Sequence, residues 1–495
     1  MSPASPARDA VLALDQGTSG TKGMLVAEDG MVLATAHRAL GQQYPQPGRV
    51  EQEPEAVWTT VVEVLRELAA HEGVRPVGLG LSVQREAVLA WERATGRPLS
   101  RLVSWQDRRT TERCAELAEG PHAGLITGRT GLPVDPMFSA TKAAWLLDDI
   151  DPGRGPACAG LLRVGTVDAW LLHRLTGGAT DAIETGSASR TQLLNLATAE
   201  WDPELAEVFD VPLETLPEVT ASTGDFGRLR GVPGVPDGLP VAAVLGDSHA
   251  ALFAQSHGRQ GVVKATYGSG SSLMALCPKD VKPPDGIART IAWRIAGEDP
   301  ACALEANIAS AGTAVRWAAR LLGMDAAGLA ELAATGRDSE LHLVPAFDGL
   351  GAPYWDRDAR AVLCGIQQDT GPAELARAAV ESLAYQVADT LTRFEDALGP
   401  VSQLCADGGP TANERLMSFQ ADLAGRPVLR AGLPELSALG VAQLAGVALG
   451  IWSEADLETA TPPGTRFAPT KDLAWRSARM ADWRRAITRA RATAP

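Results

Sequence analysis

The sequence predicts an α/β protein of two similar domains facing a shared cleft, on three observations. Short apolar runs that read as buried strands alternate with longer runs of helical period. A chain of 495 residues is too long for one core and suits about two to four domains. A strand breaking into a turn of glycines and hydroxyls occurs once in each half, at Val11–Gly23 (VLALDQGTSGTKG) and at Val262–Met274 (VVKATYGSGSSLM).

The first of these stretches carries most chemistry. Val11–Leu14 reads as a buried strand with Asp15 at its carboxyl end, followed by Gly17, Thr18, Ser19, Gly20, Thr21 and Lys22. Glycines let backbone N–H groups approach a phosphate, while hydroxyls and a lysine add donors. A Walker A loop does not fit, because Lys22 stands where its second glycine belongs. The second copy places Gly268, Ser269, Gly270, Ser271 and Ser272 after a β-branched run. Two such turns make sense as the two jaws of one nucleotide site.

Composition narrows the partners. A formal net charge of −15 disfavours nucleic acid and anionic membranes, which need a basic face. The 6 cysteines are scattered without a C-x-x-C pair, which argues against a zinc site or disulfide framework and for a reducing, cytoplasmic compartment. The start, MSPASPARDA, lacks the apolar core of a secretory signal. No apolar run reaches the ~18 residues of a membrane span. The nearest, Ala438–Trp452, reads as a close-packed interior helix.

Along the chain, Met24–Ala27 and Met31–Ala34 flank an acidic-Gly hairpin turn, so the start is an antiparallel meander. Gln52–Ala70 is a helix with Val57, Val61, Val64, Leu65 and Leu68 on one face. Val77–Val83 is a buried strand that ends in Gln84-Arg85-Glu86, either ligand contacts at a strand end or a surface Arg–Glu pair. Leu102–Trp105 is a short strand, with Trp105 readable as a core aromatic. Ser139 is a suitable N-cap for a helix that buries Trp145, Leu146 and Leu147. Gly165–Leu175 reads as helical, and Pro212–Gly238 as a long loop region. Val241–Leu245, then Gly246-Asp247-Ser248, then a helix, sets Asp247 at a strand–turn–helix corner, as a general base or as an N-cap. Gly312 and Thr313 precede an amphipathic helix with Val315, Trp317 and Leu321, and Ala373–Leu398 is a long helix. Cys405–Asn413 (CADGGPTAN) is a strand end with a double glycine before a helix, which favours an anionic or flat aromatic ligand. The charged tail from Glu454 reads as a solvated surface element.

Together these segments resemble the FGGY carbohydrate kinases, and within them the glycerol kinases, from about Val11 to Trp452. The resemblance rests on DQGTSGTKG, on QRE at Gln84–Glu86 and on SWQDRRT at Ser104–Thr110. It extends through TGLPVDPMFSATKAAWLLDD at Thr130–Asp149, GDSHAALFAQ at Gly246–Gln255 and YGSGS at Tyr267–Ser271. PAFDGLGAPYWD at Pro345–Asp356, DGGPTAN at Asp407–Asn413 and SALGVAQLAG at Ser437–Gly446 complete it.

It implies two actin-like (ribonuclease H-like) ATPase domains with mixed sheets flanked by helices. Their expected spans are 1–252, with the acceptor site and part of the phosphate site, and 253–455, with the nucleotide site; a helical tail takes 456–495. The implied ligands are ATP, Mg2+ and a small polyol or sugar, and the implied assembly is a homodimer or homotetramer. Asp15 would help hold the metal through water; Thr18, Ser19 and Lys22 would contact the β- and γ-phosphates. Asp247 looks like the general base; Gly268, Ser269, Gly312, Gly409 and Asn413 would line the nucleotide. Arg85, Glu86 and Trp105 match positions that bind the acceptor's hydroxyls and carbon chain.

Two positions depart from the glycerol kinase pattern. Met137 replaces a tyrosine and Ser272 a phenylalanine that line the acceptor pocket, which makes the pocket roomier and differently polar. The wording DQGTSGTKG is nearer the xylulokinase form, yet Gln84-Arg85-Glu86 is not a xylulokinase's Met-His pair. The leading expectation is therefore an ATP-dependent kinase of a small polyol or sugar, glycerol-kinase-like. The alternative acceptors are a larger polyol or a ketose of the erythritol, ribulose or xylulose type. An actin-like ATPase and a non-catalytic sugar-binding regulator are the remote alternatives.

Overall fold

The computed structural model describes residues 7–459 and 461–491. In chain order the first elements are β1 (Arg8–Gly17), β2 (Gly20–Ala27), β3 (Val32–Ala39), α1 (Pro54–Ala69) and β4 (Val74–Val83). Next come α2 (Ser139–Ile150), β5 (Val241–Gly246), α3 (Asp247–Ser256), β6 (Val262–Tyr267), β7 (Ser271–Cys277) and β8 (Ala301–Ile308). The remainder holds α4 (Gly312–Leu321), α5 (Pro372–Leu398), β9 (Gln403–Asp407), α6 (Glu414–Ala424) and β10 (Val428–Arg430). It ends with α7 (Leu436–Ala448), β11 (Thr465–Phe467) and α8 (Leu473–Arg491).

Two compact units result. The first takes the chain to Gly258 with Arg289–Cys302 and Glu435–Thr461; the second takes Arg259–Ala288, Ala303–Pro434 and the chain from Pro462. This differs from a linear division at 252/253 with a separate tail. Glu435–Thr461 belongs to the first unit although it follows the second in sequence. The tail is part of the second unit, where α8 buries Met480, Trp483, Ala486 and Ile487 rather than lying solvated.

The sheet of the first unit has the order β5-β4-β1-β2-β3. β1, β2 and β3 form the expected meander, while β4 runs parallel to β1 and β5 parallel to β4. The second unit repeats the order as β10-β9-β6-β7-β8, with β6 antiparallel to β7 and parallel to β9. Parallel strands covered by helices explain the continuous apolar runs of β1 and β4.

Helix α1 starts where Glu53 is extended and Pro54, which needs no hydrogen-bond acceptor, takes the first position. Its apolar face docks on β2 at Gly23, where a Cβ would lie 2.5 Å from a Val64 methyl. Several local boundaries differ from expectation. Gly165 lies in a strand, Leu162–Thr166, and the helix begins at Val167. Ser139 is the first helical residue, with Phe138 as the cap residue, and Trp145 is half-buried under the Arg109 guanidinium at 4.3 Å. Gly312 opens α4 instead of preceding it, and Leu321 is exposed.

Helix α7 is apolar all round, as a helix with no solvent face must be. It approaches α3 so closely that a Cβ on Gly440 would lie 1.8 Å from the Ala250 carbonyl oxygen. On its other side a Cβ on Gly80 of β4 would lie 2.5 Å from the Val441 carbonyl oxygen. Backbone atoms cannot step aside as a flexible side chain can. We expect Gly440→Ala to cost about 1–3 kcal/mol or more of stability by overpacking. Urea unfolding measures it, and an unchanged midpoint would show that the two helices can part freely.

Candidate functional site

In the first unit the carboxyl ends of three parallel strands finish level: Asp15 pairs with Ser82, and Ser82 with Leu245. Charged residues gather on this edge, where open α/β sheets bind ligands. Ser82 Oγ donates to Asp15 Oδ1 at 2.7 Å. Asp15 also faces Lys22 across the β1–β2 hairpin. Its pKa is pushed up to about 6, first by burial and then by the negative charge of Asp247. Like carboxylates held together in this way are what a cation relieves.

Asp247 is the first residue of α3, not its cap; Gly246 takes that position without a side-chain bond. The Asp247 carboxylate accepts the Ser248 N–H at 2.6 Å and meets Arg85 Nε at 3.3 Å. Arg85 Nη1 also lies 3.2 Å from His249 Nε2. The possible Arg85–Glu86 surface pair is not formed. Glu86 has φ +60°, which turns it away from Arg85, and its Oε1 accepts from Arg190 Nε at 2.6 Å. Arg85 and Glu86 are both buried.

The hydroxyl-rich turn between β1 and β2 is laced to neighbouring strands by amides. Thr18 Oγ1 donates to Gln84 Oε1 at 3.3 Å, and Gln52 Nε2 donates to the Thr18 carbonyl at 2.8 Å. Gln84 Nε2 donates in turn to Gln52 Oε1 at 2.9 Å and Gln16 Oε1 at 3.1 Å. Trp105 is not a core aromatic; it is 36% exposed, and its indole N–H donates to Thr18 Oγ1 at 3.0 Å. Ser19 is exposed in the turn, and Lys22 lies 3.8 Å from Glu435. Met137 is half-buried, its N–H bound to Asp135 Oδ1 at 2.8 Å.

The second unit brings Gly268, Ser269 and Gly312 together. The Gly312 N–H donates to the Gly268 carbonyl at 2.9 Å, and the Ala311 N–H to the Ser269 carbonyl at 2.8 Å. A Cβ on Gly312 would lie 2.5 Å from the Gly268 carbonyl oxygen, so only glycine fits there. Arg316 reaches back to Ser269 Oγ at 3.0 Å. Gly408 has φ +95° and passes close to the Tyr267 carbonyl, which brings Gly409 to the end of β9 beside β6. Asn413 caps α6 by accepting the Leu416 N–H at 3.1 Å. Ser272 Oγ accepts from Lys264 Nζ at 3.2 Å.

Sequence reasoning missed His249, Arg190, Ser82 and the glutamines Gln16 and Gln52 as site neighbours. Gln16 adjoins Asp15, and His249 lies two residues after Asp247, so proximity in sequence was a usable signal for these two. Arg190 gave none, because its partner Glu86 is 104 residues away. Among the described residues no group of three or more His, Cys, Asp or Glu side chains is poised to hold a metal ion. Asp15 beside Asp247 suits a divalent ion that takes its other ligands from phosphate and water, the usual habit of Mg2+. No described helix is long and apolar enough to cross a membrane.

Within the first unit, carboxylates at parallel strand ends beside a donor-rich turn are the features of a phosphotransferase class of site, in which positioning and charge neutralisation do the work. The FGGY family of carbohydrate kinases matches in two parts, its N-terminal domain over residues 10–254 and its C-terminal domain over 263–449. A glycerol kinase of Alkalilimnicola ehrlichii is 42% identical over 490 residues, covering 97% of this chain and 98% of its own. One of Aromatoleum aromaticum is 43% identical over 491 residues, with the same coverage. The crystal structure of Plasmodium falciparum glycerol kinase with ADP superposes with a TM-score of 0.93 at 26% identity, covering 99% of this chain and 100% of that one. The chain belongs to the FGGY family of carbohydrate kinases, and it is a kinase that phosphorylates a sugar or sugar alcohol.

The amide lattice generates a prediction. Gln84→Leu leaves the Gln16 and Gln52 oxygens without this donor and the Thr18 hydroxyl without this acceptor, so about 1–3 kcal/mol of stability is expected to be lost. Chemical denaturation checks the loss, and an equal stability to wild type would show the lattice to be dispensable.

Proposed function

We propose that this kinase transfers the γ-phosphoryl group of ATP to a hydroxyl of glycerol, with Asp247 as the general base. The observation that carries the reading is the contact of Asp247 with Arg85 at the level strand ends of the first unit. Near-full-length relatives of about 40% identity bearing the glycerol kinase name support the acceptor.

In this reading Arg85 and Glu86 hold the acceptor's hydroxyls, one cationic and one anionic, while the exposed indole of Trp105 covers its carbon chain. Arg85 fixes the Asp247 carboxylate on one oxygen, and Asp247 takes the proton from the attacking hydroxyl as the bond to phosphorus forms. Thr18, Ser19 and Lys22 donate to the β- and γ-phosphates. Gly268, Ser269, Gly312, Gly409 and Asn413 line the nucleotide. Asp15 would hold Mg2+ through water, and that ion, when bound with ATP, neutralises phosphate charge. The 6 free cysteines fit a reducing compartment, and we infer the cytoplasm.

Met137 and Ser272, both smaller or less rigid than the aromatic residues at the matching glycerol kinase positions, favour a second reading with a longer polyol or a ketose as acceptor. A coupled ADP-release screen over glycerol, erythritol, threitol, xylulose, ribulose and ribitol separates the two. Glycerol is expected to give the highest kcat/KM; a clear preference for a four- or five-carbon acceptor favours the second reading, and ADP release that no acceptor stimulates rejects both. Asp247→Asn is expected to lower kcat by about 10²–10⁴-fold with nucleotide affinity nearly unchanged. Normal turnover in that variant sinks the base assignment.

A further inference from the structure

The first turn of α2 reaches three separate loops. Ser139 Oγ donates to the Glu86 carbonyl at 3.0 Å. Lys142 Nζ donates to the Ser104 carbonyl at 3.1 Å and to the Met137 carbonyl at 2.8 Å. These carbonyls belong to Glu86, to the residue before Trp105, and to Met137. They are the backbone anchors of every first-unit segment, apart from Asp247, that the proposed function assigns to the acceptor.

Lys142 is fully buried, and lysine is almost never so placed without a reason. Desolvation pulls its pKa down to about 7, against the opposing pull of Glu86, Asp107 and Asp135. An ammonium is a compact charge with three donors, so it can hold carbonyls from two loops at once, loops that also meet through Arg108 and Asp135 at 3.0 Å. An apolar residue there would remove the ammonium from the Met137 carbonyl and leave the Ser104 carbonyl with the Asp107 N–H at 3.1 Å. Thr141, between the two, bonds Thr110 at 2.8 Å and ties the same turn to the segment after Trp105.

We propose that Lys142, supported by Ser139, is the positioning residue of the acceptor site: its ammonium fixes the Ser104–Trp105 and Met137 loops against the Glu86 turn. The proposal rests on the reading of Glu86, Trp105 and Met137 as acceptor contacts. It assigns Lys142 no contact with substrate.

The test is steady-state kinetics on the full chain, with glycerol varied at saturating MgATP and MgATP varied at saturating glycerol. Lys142→Met is expected to raise the KM for glycerol about ten- to hundredfold, with the KM for MgATP within about twofold of wild type. Ser139→Ala, a smaller deletion in the same turn, is expected to raise the glycerol KM by about two- to tenfold. An unchanged glycerol KM overturns the proposal. So does a uniform loss for both substrates that tracks the folded fraction measured by circular dichroism, since that marks a merely structural role. If Lys142→Met does not fold, Ser139→Ala decides by the same criteria. If wild type prefers another acceptor in the screen, the glycerol reading fails, but a selective rise in that acceptor's KM still supports the positioning role.

Discussion

The first unit depends on a helix that two glycines allow to lie against bare backbone. Gly440 brings α7 onto the Ala250 carbonyl of α3, and Gly80 brings β4 onto the Val441 carbonyl of α7. The helix is therefore wedged between the sheet and the element whose first residue is Asp247. A hydrogen bond from Ser437 Oγ to the Asp247 carbonyl, 3.0 Å long and spanning 190 residues of sequence, fastens its start to that same residue. Just before it, Glu435 approaches Lys22 of the hydroxyl-rich hairpin. Close packing without side chains between leaves little freedom in the height of α3 on the sheet, and so in the position of the Asp247 carboxylate.

On that frame the charges are sorted by backbone geometry. Arg85 and Glu86 are neighbours that could neutralise one another on a surface, where such a pair contributes little. The left-handed conformation of Glu86 sends them to different partners, Arg85 to Asp247 and Glu86 to the buried Arg190. A non-glycine residue in that conformation costs free energy that its surroundings must offset. The Arg190 ion pair and the Ser139 bond to the Glu86 carbonyl are the visible compensation. The result is a buried cation and a buried anion, adjacent in sequence and separately anchored.

The strands of the sheet were legible because each parallel strand is a short apolar run ended by a polar residue. Asp15, Gln84–Glu86 and Asp247 could therefore be placed at strand ends from the sequence, and the structure brings them to one edge. The meander and the two similar halves were legible for the same reason. What was not legible depends on contacts far apart in sequence. Leu436–Ala448 is apolar all round, which announces burial but not against what, so its place in the first unit could not be read. The tail was misjudged because arginines dominate its composition while Trp483 and Ile487, spaced four apart, supply the face that packs. Ser139 looked like a cap by residue type, yet its hydroxyl is committed to Glu86, 53 residues earlier. Trp105 looked like core by residue type alone, and an indole whose N–H binds a turn hydroxyl carries no distinguishing local pattern.

The repeated topology holds its two turns by different sets of contacts. In the second unit the Gly268–Ser269 turn is secured by backbone N–H groups at the start of α4 and by two side chains, Arg316 to Ser269 Oγ and Thr313 Oγ1 to the Ser269 carbonyl. In the first unit the Thr18 turn is held by the side chains of Gln52, Gln84 and Trp105 and by the Leu40 N–H bond to the Ser19 carbonyl. The Thr18 hydroxyl has a single proton, and Gln84 receives it while Trp105 donates to the same oxygen. The Gln84 amide and the Trp105 indole are thus joined through one oxygen atom.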